Sequence, residues 1–263
     1  MNERIIPATV LGFCAVFAVI YYPLCGIATC FLILAGLYEF FHMVEKKGVR
    51  LFKPLGLLLG LLIPITIYFR FPIKEGWQFL FVIIGLFVLF LLEFRKKETH
   101  HSVLSISATI FGVIYISWCF SFLIRVRQLP EGAMLTGFLV LVTKSSDVGA
   151  YLWGKKFGKT PLIKKISPKK SLEGSMGGFF TSLSVGLIFS LFIDSIDFWE
   201  KFFLIIILAI ISQMGDLFES LIKRDCGVKD SGRILWGMGG ALDVIDSLIF
   251  TAPILYLYVT MMR

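Results

Sequence analysis

Histidine is nearly missing from this sequence: there are three in 263 residues, His42, His100 and His101, and none beyond them. That removes imidazole-based nucleophile activation and histidine metal ligation from the second half of the chain. Cysteine offers as little. Cys14, Cys25, Cys30 and Cys119 lie in apolar runs and Cys226 in a polar stretch, with no paired CxxC spacing, so neither a disulfide framework nor a zinc site is indicated. GxSxG and HExxH patterns are absent, as are a fixed-period repeat and a low-complexity linker. Charge is scarce too. Only 17% of residues are charged, against 57% hydrophobic and 15% aromatic, and the mean hydropathy is +0.85. A soluble domain of this size has too little interior to hide so much apolar surface, so the composition implies an integral membrane protein.

A hydrocarbon core about 30 Å thick needs about 20 residues of helix. Measured against that length, the apolar runs predict an all-α protein of about nine transmembrane helices: Ile5–Tyr22, Leu24–Phe41, Leu55–Phe69, Trp77–Phe94, Val103–Ile124, Gly132–Leu152, Gly174–Ile193, Trp199–Leu221 and Leu242–Thr260. The first two are divided at Pro23, because one helix from Ile5 to Phe41 would be nearly twice the needed length. Pro64 is expected to kink the third. The first run lacks a small-residue cleavage site and reads as a retained helix.

With the amino terminus in the cytoplasm, nineteen of the 26 lysines and arginines fall on that side and six opposite, a positive-inside pattern. The two large polar loops, 154–173 and 222–241, then both face the cytoplasm. The net charge of +8 is read as anchoring to anionic headgroups rather than as a nucleic-acid surface.

Residues 1–131 read as transmembrane scaffold helices. Their charges sit in loops, and Glu39 and Glu93, at span ends, read as snorkelling side chains. From Thr143 onward polar groups enter the spans, and residues 132–263 read as the catalytic helices with their two loops. Lys144 and Asp147 share a helical face, either as a neutralising pair or as part of a site. Asp216 and Glu219, three apart near the end of the eighth span, and Asp243 and Asp246, three apart at the start of the ninth, each share a face as well. An antiparallel pairing of those spans would bring the carboxylates together. Ionisable groups at the edge of hydrocarbon cost roughly 2.5–3.5 kcal/mol each at a helix centre, so they mark a functional site. A hard divalent cation, Mg²⁺ or Mn²⁺, is the natural occupant of such a cluster. Salt bridges to Lys223 and Arg224 are the structural alternative.

The loop GKKFGKTPLIKKISPKKSLEGSMGG carries seven lysines and ends in a glycine-rich helix start, a combination that attracts phosphate. GKKFGKT is not a P-loop: its glycines are one residue too close, and it follows an apolar helix rather than a strand. Lys164 and Lys165 read as headgroup contacts, and Lys169 and Lys170, bracketed by Ser167–Pro168 and Ser171–Glu173, as functional. Metal, lysine, arginine and glycine-rich backbone together are the equipment of phosphoryl-type transfer.

SLIKRDCGVKDSGRILWGMGGALDVIDS, residues 220–247, resembles the signature of the phosphatidate cytidylyltransferase (CDP-diacylglycerol synthase) family. DVGAYLWGKKFGKTPLIKKISPKKSLEGSMGG, residues 147–178, is similar to that family's upstream D-x-x-A-Y-x-x-G and SPKKS-x-EG-x-x-GG elements. Two positions depart from the pattern. Met238 stands where the family usually has histidine, and Val244 where it usually has arginine.

The resemblance implies the reaction of CTP with phosphatidate to give CDP-diacylglycerol and pyrophosphate, in a multi-pass protein of a bacterial cell (inner) membrane with its site facing the cytoplasm. It implies Mg²⁺ held by Asp216, Asp243 and Asp246, with Asp147 at a second cation position. Catalytic roles fall to those aspartates with Lys223 and Arg224. Ser167, Lys169, Lys170, Ser171, Lys229, Arg233, Gly239 and Gly240 become candidates for substrate phosphates, with Glu173 and Asp230 orienting the cations. Phosphatidate and membrane phospholipid are the expected partners with CTP, nucleic acid is not, and a homodimer is compatible with the family. A CDP-alcohol phosphatidyltransferase is disfavoured because D-x-x-D-G-x-x-A-R is missing after Asp243, and a polytopic transporter because corresponding broken helices are not found.

Overall fold

The computed structural model describes residues 12–71, 76–94, 101–194, 196–232 and 239–261. Local chemistry fixes where its rods begin and end. Residues 12–20 are helical (α1), Tyr21 is extended, and α2 spans Tyr22–Glu45 with Pro23 in its first turn. Proline suits that position because a first turn leaves its N–H unpaired in any case. The same ring strips Val19 of the donor that a continuous helix would place four residues on. Arg127 replaces it: Nε donates to the Val19 carbonyl at 2.9 Å and Nη2 to the Ile20 carbonyl at 2.8 Å.

α3 spans Lys53–Tyr68 and runs on through Pro64. The carbonyl that Pro64 leaves without its helical donor is that of Gly60, and Ser117 Oγ donates to it at 2.5 Å. α4 covers Gly76–Glu93. α5, Ser102–Gly112, passes through a π-helical stretch, Val113–Trp118, into α6, Cys119–Arg127, making one rod. α7 spans Gly132–Phe157, α8 Leu172–Ser190, α9 Phe198–Asp225 and α10 Ala241–Met261. Among the described residues, five helices are long and apolar enough to cross a membrane: Tyr22–Glu45, Ser102–Arg127, Leu172–Ser190, Phe198–Asp225 and Ala241–Met261. α3 is a shorter apolar helix, and α7 is long but carries Lys144 and Asp147. The protein is an all-α membrane protein, as expected, with one addition. Pro161–Ile163 (β1) and Ser167–Ser171 (β2) form an antiparallel hairpin in the first polar loop, pairing Pro161 with Ser171 and Ile163 with Ser167.

The core lies where α2, the π-helical stretch and α6, α7, α9 and α10 meet, around Leu37, Phe41, Ile116, Phe138, Leu208 and Ile245. α7 and α8 approach almost backbone to backbone. A Cβ on Gly178 would lie 2.7 Å from the Ser146 carbonyl, and one on Gly174 2.8 Å from that of Ala150. Small residues at such crossings allow the dense packing that holds helices together in lipid, where the hydrophobic effect between helices is weak. Ser171 caps α8 by accepting the Gly174 N–H at 3.1 Å. The snorkelling expected of Glu39 and Glu93 is not seen. Both are buried, at 3% and 8% exposure, and Glu39 is covered by Ser231, Gly232, Gly240 and Leu242.

Candidate active site

Gly215 decides how close α9 comes to α10. A Cβ there would stand 2.7 Å from the Asp246 carbonyl and 3.2 Å from the Ser247 Cα, so only glycine permits this approach. The approach carries Asp216 and Glu219 of α9 up to Asp246 of α10, and their carboxylate oxygens come within 4.8 Å of one another. Glu219 is fully buried and Asp246 nearly so.

Lysines surround this trio. Lys170 of β2 forms an ion pair with Asp216, and Lys223 forms one with Glu219 four residues before it. Lys223 also donates to Asp243 Oδ1 at 2.6 Å. The other Asp243 oxygen accepts from Ser231 Oγ at 2.9 Å and the Gly240 N–H at 2.8 Å. Gly239 sits beside it at φ 101°, a conformation that suits glycine. Lys144 donates to Asp147 Oδ2 at 2.9 Å and to Ser247 Oγ at 3.1 Å, while Ser247 Oγ contacts Asp147 Oδ2 at 3.3 Å.

A polar cleft of about 520 Å³ opens beside the trio, lined by Asp147, Ser167, Lys169, Lys170, Ser171 and Asp216 among others. The hairpin forms one wall. It is tied down by Arg224, whose Nε donates to the Ile166 carbonyl at 3.1 Å, and by Glu173, which accepts the N–H groups of Lys159 at 3.0 Å and Thr160 at 3.1 Å. These contacts put both large polar loops at the same end of the molecule.

The residues singled out from sequence therefore fall into groups. Asp216 and Asp246 stand together with Glu219. Asp243 and Lys223 form a neighbouring pair, held by the Gly240 N–H, with Gly239 packed beside the Asp243 carboxylate. Ser167, Lys169, Lys170 and Ser171 line the cleft with Asp147. Arg224 and Glu173 brace the hairpin, Lys229 and Asp230 are exposed on the second loop outside the cleft lining, and Arg233 and Met238 lie outside the described residues.

Sequence reasoning left several neighbours out. Glu39 of α2 accepts from Ser231 Oγ at 3.1 Å and from the Leu242 N–H at 3.0 Å. Gln213 donates to the Ser175 carbonyl at 3.0 Å and Ser146 Oγ at 3.3 Å, and accepts from Ser175 Oγ. Tyr115, on the π-helical stretch, is buried within electrostatic reach of Asp246 and Glu219, and its hydroxyl has no hydrogen-bond partner among the described residues. π-Helical turns concentrate at functional sites, but only the folded chain reveals one.

The donor set suits a hard divalent cation. Asp147, Asp216, Glu219, Asp243 and Asp246 face Lys144, Lys170 and Lys223, which leaves two negative charges uncompensated if all are ionised. Glu219 Oε1 is buried without a hydrogen bond. Oxygens sharing one Mg²⁺ at about 2.1 Å stand at most about 4.2 Å apart, so the trio needs only a small closing movement.

The model of the cytidylyltransferase family matches residues 2–262. The chain belongs to the cytidylyltransferase family. Among relatives of this cytidylyltransferase, a phosphatidate cytidylyltransferase of Synechocystis sp. is 32% identical, over 99% of this chain and 97% of its own. One from Staphylococcus saprophyticus is 41% identical over 60% of this chain and 61% of its own, and the uncharacterized protein YnbB of Escherichia coli is 39% identical over 57% of this chain and half of its own. The chain thus spans nearly the full length of the first relative and about half to three-fifths of the other two.

Proposed function

We propose that this protein is a phosphatidate cytidylyltransferase: CTP and phosphatidate give CDP-diacylglycerol and pyrophosphate. The observation that carries the reading is the family match along the chain together with a lysine-lined cleft that Asp216 joins to the buried carboxylates of Glu219 and Asp246. A phosphatidate oxygen forms the new bond to the α-phosphorus of CTP, and the bond from that phosphorus to the β-bridging oxygen breaks, releasing pyrophosphate. The phosphate nucleophile is already ionised at neutral pH, so no strong general base is needed. That accords with the absence of histidine after His101.

Asp216, Glu219 and Asp246 are the residues to hold Mg²⁺. Bound there, the ion supplies charge neutralisation and Lewis acidity for the triphosphate. Lys169 and Lys170 bind substrate phosphate from the hairpin, and Lys223, fixed by Asp243, offers a positioned ammonium beside the trio. Asp147, held by Lys144 and Ser247, is the carboxylate nearest in kind for a second cation. The positive-inside pattern and the shared end of the two loops support a cleft on the cytoplasmic face of a bacterial cell membrane, where CTP is available. On this reading residues 1–131 serve as scaffold and 132–263 as the catalytic part, with Glu39 reaching from the first to the second.

Purified protein in detergent or nanodiscs, given labelled CTP, phosphatidate and Mg²⁺, should form lipid-linked CMP with stoichiometric pyrophosphate. Transfer of the phosphatidyl group from supplied CDP-diacylglycerol to an alcohol, with CMP released and no CTP used, would replace this reading with a phosphatidyltransferase.

A further inference from the structure

The polar cleft continues into apolar space. At Leu162, Ser175, Gln213 and Leu217 it shares its lining with a second groove of about 530 Å³ between α8 and α9. Met176, Phe179 and Phe180 of α8 and Ile210 and Met214 of α9 wall that groove. Met176, Phe180, Ile210 and Met214 are exposed, so it opens on the outer flank of the helix pair.

Polarity falls in the same direction along both walls. On α9 the order away from the lysine-rich end is Asp216, Gln213, Ile210; Gln213 lies about 4.5 Å of helix rise below Asp216. On α8 it is the cap Ser171, then Ser175, then Met176 and Phe179. Ser175 and Gln213 bond to each other across the threshold, with Gln213 Nε2 on the Ser175 carbonyl at 3.0 Å. A glycerophospholipid presents its groups in this sequence: anionic phosphate, ester-bearing glycerol, hydrocarbon. A groove serving only bulk lipid would not need to join the cleft through four common residues.

We infer that the α8–α9 groove holds one acyl chain of the phosphatidate, with Ser175 and Gln213 level with its ester-bearing glycerol. The inference rests on the proposed function for the identity of the headgroup, and on the groove for the position of the chain. The flexible methionines along the walls suit a substrate whose chains vary in length and unsaturation.

Photolabelling tests this without turnover. The protein in nanodiscs is exposed to a phosphatidate carrying a mid-chain diazirine, and the labelled peptides are mapped. The expected result is labelling within 176–180 and 210–214 that excess unlabelled phosphatidate reduces at least five-fold and phosphatidylcholine does not. Labelling elsewhere, equal competition by phosphatidylcholine (an annular lipid), or cross-links to a second copy at these positions would each overturn it. Kinetically, Met214→Trp should raise the ratio of KM for dioleoyl over dihexanoyl phosphatidate at least ten-fold, and an unchanged ratio in folded, monodisperse protein would also overturn it. Ile210→Trp serves if Met214→Trp does not fold. Failure of the wild-type protein to consume CTP would bear on the proposed function alone, since labelling needs no reaction.

Discussion

Glu39 Oε2 accepts the backbone N–H of Leu242 at 3.0 Å, across 203 residues of sequence. The same oxygen shares the single Ser231 hydroxyl proton with Asp243 Oδ2, and Asp243 accepts from Lys223. One carboxylate from the second helix therefore caps the start of α10 and anchors the loop beside the cleft. Glycines at 232 and 240 make room for it, since a Cβ at either position would collide with the carboxylate. Glu39→Ala should cost about 1–3 kcal/mol through the unsatisfied buried groups it leaves. Turnover should fall at least ten-fold, and Glu39→Gln, which keeps an acceptor, should recover part of both, as read by thermal unfolding in detergent alongside CTP consumption.

Asp243 and Asp246 are three residues apart yet have different neighbours, so their amides should differ in kind. Asp246→Asn removes a trio member and should raise the Mg²⁺ concentration for half-activation at least ten-fold. Asp243→Asn releases Lys223 and should lower kcat with little change in that concentration. Mg²⁺ titrations of both variants make the comparison, and unaltered Mg²⁺-dependent turnover in both would remove these assignments.

Magnesium should also stabilise the folded protein before any substrate is added. At 100 times its dissociation constant a bound ion contributes about 2.7 kcal/mol. The thermal midpoint should rise with Mg²⁺, fall with chelator, and lose this response in Glu219→Gln, a residue whose buried Oε1 is otherwise unbonded.

Gly215→Val should separate α9 from α10. Overpacking of this kind costs typically about 1–3 kcal/mol. The activity loss should exceed what the stability loss explains, because the trio no longer converges; activity measured well below the variant's own midpoint separates the two.

Two lysines of one loop should behave oppositely. Lys170 pairs with Asp216 in the cleft, while Lys164 is exposed at the hairpin turn and lines no part of it. Lys170→Ala should reduce kcat/KM at least 100-fold and Lys164→Ala less than three-fold in the same CTP assay.

The sequence by itself determined the rods and the kinds of chemistry available. A helix in a bilayer must satisfy its backbone internally, so apolar length, Pro23 and the glycine-rich start of α8 locate elements from local information alone. It also gathered the carboxylates and lysines of the two motif stretches, 147–178 and 216–247, into neighbouring helix ends and loops. What it could not determine is which of them meet. Asp243 and Asp246 differ by about 4.5 Å in depth and about 60° in direction on one helix, and the approach of α9 permitted at Gly215 decides that Asp246 joins Asp216 and Glu219 while Asp243 turns to Lys223 and the loop. Glu39 was legible only as an acid at the end of an oily run. Whether such a group reaches water or is roofed by backbone donors depends on distant chain folding over it, and no local pattern carries that information.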